Sequence, residues 1–77
     1  MEVLDLINSG SKQLKKNDIF SHKLDSEILL SKVMKKRREE LLVNLDQHVS
    51  SKVICGFKKL IERRSLKEPI AYILEEK

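Results

Sequence analysis

Val53, Phe57, Leu60 and Ile61 fall at i, i+4, i+7 and i+8 in the stretch SKVICGFKKLIERR. At 3.6 residues per turn this spacing gathers four apolar side chains onto one helical face, and it lacks the period of two that a half-buried strand needs. The helix, read from Ser51 to Arg64 with a weak point at Gly56, requires an apolar surface to lie against. Three earlier segments supply one. Residues 2 to 16 form a helix with Val3, Leu6, Ile7 and Leu14 on one face and a second weak point at Gly10. Asn17-Asp18 ends it, and Ile19 and Phe20 are expected to pack inward. Ser21 suits an N-cap, its hydroxyl accepting a free backbone N–H of a helix from His22 to Lys36. That helix carries a stripe of Leu24, Ile28, Leu29 and Val33. Asp25 and Glu27 near its start and Lys35-Lys36 near its end suit the helix dipole. Arg38 to Asn44 is a short third helix, with Leu41, Leu42 and Leu45 apolar, and Asp46 to Ser50 is a loop.

After a break at Ser65-Leu66-Lys67, Glu68-Pro69 can open a fifth helical segment, since proline is tolerated in a first turn. Ile70 to Leu74 is too short an apolar run for periodicity to separate helix from strand. Two Gly, one Pro and 36% charged residues favour straight-chain helix formers. No βαβ pattern and no internal repeat occur. The expected fold is all-α, a small bundle of four helices plus a short fifth segment, in one domain of 77 residues. A chain this short buries only about 60% of its unfolded surface.

Little in the sequence points to catalysis. His22, His48 and Cys55 are the candidates for nucleophilic or metal chemistry, and their spacing matches no metal-binding pattern. Cys55 lies beside the apolar stripe of the fourth helix and is expected to be a buried, inert thiol. A single cysteine precludes an internal disulfide and fits a reducing compartment. No apolar run approaches the roughly 18 residues of a membrane span, and the N-terminus has Glu2 and no basic region, so a cytosolic protein is expected.

The net charge is +4. Two basic clusters are the partner-binding candidates. Lys35, Lys36, Arg37 and Arg38 form the densest run, followed by Glu39 and Glu40; Lys58, Lys59, Arg63 and Arg64 lie on the outer side of the fourth helix, interrupted by Glu62. Either suits an acidic protein or a phosphate. No aromatic residues interleave with them, as a single-strand nucleic-acid platform requires, which weighs against a nucleic-acid-binding module. Both clusters can also be solvated faces. Arg63 or Arg64 can equally pair with Glu68 or cap the carbonyls ending the helix, and Tyr72 can be core filling with its hydroxyl at the edge.

The stretch LIERRSLKEPIAYIL, Leu60 to Leu74, resembles a junction of the HemK/PrmC family, methyltransferases that modify a glutamine side-chain nitrogen in class 1 peptide-chain release factors. Arg63-Arg64 and Glu68-Pro69-Ile70-Ala71-Tyr72-Ile73 carry the likeness. LDSEILLSKVM, Leu24 to Met34, is similar to the family's Leu-Asp-Ala-Glu-x-Leu-Leu helix with Ser26 in place of alanine, and REELL, Arg38 to Leu42, to its next helix. The likeness spans roughly residues 4 to 74. Glu75 stands where the family has glycine.

The resemblance implies a domain of residues 1–66 and, over 67–77, the start of a connector to a methyltransferase domain absent from this chain. Arg63, Arg64, Glu68, Pro69, Tyr72 and Ile73 would form the interdomain junction. It implies no cofactor in this fragment and S-adenosylmethionine in the full-length enzyme, whose glycine-rich and Asn-Pro-Pro-Tyr motifs have no counterpart here. The implied role is to recognise and hold a class 1 release factor without catalysing transfer. The rival readings are a nucleic-acid-binding helical module and a purely structural domain that stabilises the catalytic half.

Overall fold

Five helices follow one another in the computed structural model, which describes residues 1–75: α1 (Val3–Lys16), α2 (His22–Met34), α3 (Arg38–Leu42), α4 (Ser51–Ser65) and α5 (Ile70–Glu75). The described residues contain no strand; an isolated bridge joins Glu2 to His48. The fold is all-α, as expected.

α1 and α4 bury the faces their periodicity marks. Val3, Leu6, Ile7 and Leu14 are buried on α1, and Phe57 and Ile61 on α4, where Val53 and Leu60 pack at the core edge. α1 starts against the 45–49 loop. The N–H groups of Val3 and Leu4 donate to the carbonyls of Gln47 (2.9 Å) and Leu45 (3.0 Å), which satisfies two of the donors a helix start leaves open. Ser50 Oγ accepts from the Val53 N–H at 3.3 Å and caps α4.

α2 is the central element, packed against α1, α3, α4 and α5. It runs antiparallel to α1, where Ser26 Oγ donates to the Ile7 carbonyl at 2.8 Å, and antiparallel to α4, where Asp25 meets Arg64. Because neighbours surround it, its buried residues do not form a stripe. Asp25, Ser26, Glu27, Leu29 and Leu30 are buried, while Leu24 is 44% exposed. This corrects the expected stripe, of which only Leu29 is fully enclosed. Lys35 adopts the left-handed conformation (φ 57°) and stops α2 two residues early, and α3 ends at Leu42 and not at Asn44.

Four further expectations are corrected. Ile19 is buried, but Phe20 is fully exposed at 101%. Asp18 reverses the chain in a left-handed conformation (φ 61°), and the Ile19 N–H returns to the Leu14 carbonyl, so Ile19 turns inward and its neighbour outward. Ser21 does stand at the N-cap of α2, but its hydroxyl donates to Asp25 Oδ2 at 2.9 Å and makes no cap bond to the helix backbone. Cys55 is exposed, because it sits two residues from Phe57, roughly 200° around the helix. Gly10 is no weak point. It lies where α1 meets α2 and α4, and a Cβ there would stand 2.6 Å from Ser26 Oγ, 2.7 Å from Phe57 Cζ and 2.8 Å from Ile61 Cδ1.

α5 is a helix and folds back along α2. Ile73 is fully buried in the core, and Lys32 Nζ donates to the Leu74 carbonyl at 3.2 Å. The last two residues of the expected 67–77 connector lie outside the described residues.

Candidate functional site

The two basic clusters differ in how far their charges are used within the fold. At the α2–α3 turn, Lys35, Lys36, Arg37 and Arg38 are all exposed. Arg38 Nε lies 3.3 Å from Glu27 Oε1, yet its side chain keeps 44% of its surface. Lys36 Nζ reaches Gln47 Oε1 at 3.5 Å.

The second cluster is divided. Lys58 and Lys59 are exposed, whereas Arg63 and Arg64 turn into the corner between α4 and α5. Arg64 does not share their outer face, because 100° per residue rotates it toward the core side beside Phe57 and Ile61. Its Nε lies 2.9 Å from Asp25 Oδ2, and its Nη1 donates to the Glu68 carbonyl at 2.9 Å. Their side chains are 18% and 5% exposed. Arg63 grips Glu68 with two hydrogen bonds, Nε to Oε2 at 3.1 Å and Nη2 to Oε1 at 3.0 Å. Its guanidinium also sits 5.9 Å from the centroid of the Tyr72 ring.

The corner therefore ties three elements together. Asp25 anchors α2, the arginines end α4, and Glu68 precedes α5. Pro69 is exposed and its carbonyl accepts from the Ile73 N–H at 3.2 Å, opening α5. Ile73 enters the core while Tyr72 stays 59% exposed, with Arg63 near its ring. Sequence reasoning raised the Arg–Glu68 pairing but missed Asp25. No local signal marks it, since Asp25 lies among Lys23, Ser26 and Glu27 in the first turns of α2.

The Arg63 hydrogen bonds hold the Glu68 carboxyl below its ordinary value. A carboxylate depressed in the folded state contributes stability above the unfolded pKa, and that contribution is lost as pH falls through the folded one. Acidification should thus loosen the α4–α5 corner. Glu68→Gln should remove this dependence, read as the pH profile of amide exchange in α5; an unchanged profile would contradict it.

Neither glycine lies in a loop or at positive φ, and the described residues hold no strand ahead of a glycine-rich turn. No group of three or more His, Cys, Asp or Glu among the described residues is placed to hold a metal ion. His22 Nδ1 lies 2.7 Å from Ser11 Oγ, and His48 is exposed in the loop. No helix of the described residues is long and apolar enough to cross a membrane.

Residues 5–74 match the family described as PrmC N-terminal domain. The chain belongs to this family. It is 42% identical over 72 residues to a bifunctional methyltransferase of Rickettsia felis, covering 94% of this chain and 14% of that protein. It is 40% identical over 74 residues to the release factor glutamine methyltransferase of Clostridium botulinum, covering 96% of this chain and 26% of the relative. A Leptospira interrogans release factor glutamine methyltransferase is 33% identical over 75 residues. The chain thus spans about a quarter or less of the length of these relatives. No solved structure matches it. As a PrmC N-terminal domain, it carries the Arg63-Arg64 and Glu68-Pro69 pairs on the corner just described.

Proposed function

We propose that this domain docks and positions a class 1 peptide-chain release factor for a methyltransferase domain that transfers a methyl group from S-adenosylmethionine to a glutamine side chain. The domain itself is not catalytic. The observation that carries this reading is the match over nearly the whole chain to relatives named release factor glutamine methyltransferase. The physical support is an excess of exposed lysine and arginine, which steers an acidic partner. Holding a substrate in place contributes to rate without chemistry from the holder.

The test uses the methyltransferase that carries this domain. Its removal should raise KM for intact release factor and leave kcat/KM for a short glutamine-containing peptide unchanged. Equal loss on both substrates would contradict docking. It would favour a second reading, in which residues 67–77 start an interdomain connector and the domain supports its catalytic neighbour. The observation favouring that reading is the corner of Arg63, Arg64, Glu68 and Asp25, which fixes the direction of α5.

A further inference from the structure

We propose that the docking contact is centred on Phe20, at the end of the bundle where α1 finishes and α2 begins. The proposal rests on the docking reading and moves it away from both basic runs that the sequence marks. Phe20 is the most exposed large apolar side chain of the described residues, at 101%. It stands on a fixed base. The Asp18 and Ile19 N–H groups return to the carbonyls of Lys15 (3.1 Å) and Leu14 (3.0 Å), and Ile19 is buried beneath. An aromatic side chain held on a rigid turn loses little conformational freedom on binding, and such residues dominate interface energetics.

Its surroundings state the partner's chemistry. Leu66, 73% exposed, is brought to the same end because Ser65 Oγ accepts from Gln13 Nε2 and Lys67 Nζ donates to the Asn17 carbonyl. Exposed Lys15, Lys16, Lys23 and Lys67 ring this end, with Asp18 among them. A shallow concavity of about 340 Å³, lined by Lys15, Asp18, Ile19, Phe20 and His22, adjoins the aromatic ring and offers a seat for a partner side chain. An apolar knob ringed by lysines complements an acidic protein surface that presents an apolar pocket. Two apolar side chains fall short of the continuous apolar face by which a helix lies on a membrane.

The experiment titrates this 77-residue chain with a purified class 1 release factor by calorimetry. Phe20→Ala should weaken association roughly tenfold or more, as loss of a central anchor does. It should leave the thermal midpoint unchanged, because the ring touches solvent only. Lys15→Glu with Lys67→Glu should slow association and flatten its salt dependence. Binding by Phe20→Ala within about twofold of the parent would overturn this contact while leaving the docking reading intact. No binding by the parent chain would overturn both. Phe20-dependent self-association in sedimentation, or Phe20-dependent binding to anionic phosphatidylserine vesicles, without release-factor binding, would assign the surface to another occupant and overturn the proposal.

Discussion

Arg64→Ala should lower stability by about 3 kcal/mol, because it strands the Asp25 carboxylate inside the bundle. Asp25 is 5% exposed and would keep the Ser21 hydroxyl at 2.9 Å as its remaining side-chain partner. Removing one member of a buried pair costs about 3–5 kcal/mol; the lower end applies, since Arg64 keeps 18% of its side-chain surface and water reaches it. The Arg64 bond to the Glu68 carbonyl is lost as well, which frees the start of α5. For a domain of this size the thermal midpoint should fall by roughly 12–24 °C. Asp25→Asn combined with Arg64→Met should cost clearly less than the two single changes summed, since the stranded charge is gone. Additive losses in that cycle would mean that the pair contributes nothing specific.

Gly10→Val should be about as harmful, costing about 3 kcal/mol by overpacking. The first added carbon already meets Ser26 Oγ, Phe57 Cζ and Ile61 Cδ1 at 2.6–2.8 Å, and valine adds two further methyls at the same crowded point. Phe57 and Ile61 are themselves buried in the core, so making room means repacking it. Gly10→Ala should be milder. Alanine is favoured over glycine in a helix interior by about 1 kcal/mol, and this offsets part of the clash. Thermal unfolding of the three proteins should therefore rank glycine, alanine, valine. A more stable alanine variant would show that the three helices can separate at little cost.

The contrast between these two sites shows what the sequence could reveal. The α1 and α4 stripes were legible because each helix has one buried face and one wet face. α2 was not, because four helices surround it; its enclosed polar residues, Asp25 and Ser26, are satisfied by groups 39 and 19 positions away. Nothing local distinguishes such a residue from a solvated one. Gly10 was misjudged for the same reason, since helix propensity is local and the close approach of α2 and α4 is not. The Arg63–Glu68 pairing was foreseeable from a spacing of five residues. Phe20 was not, because hydrophobicity alone assigns it to the core. The left-handed turn at Asp18 lets only one of two adjacent apolar residues face inward.

That reversal bears on function. Arg63 and Arg64, two of the partner-binding candidates, are committed to the α4–α5 corner, while Phe20 with its ring of lysines faces solvent. The corner and Phe20 share the end of the bundle where α1 and α4 finish and α2 begins, with the arginines turned inward and the aromatic ring outward.

The most direct measurement is a two-dimensional NMR titration of this chain with a purified class 1 release factor at low and at physiological salt. Resonance shifts confined to one lysine-rich face and weakening with salt are expected, with residues 15–24 and 66–67 moving most. An unchanged spectrum at both salt concentrations would contradict docking by this domain.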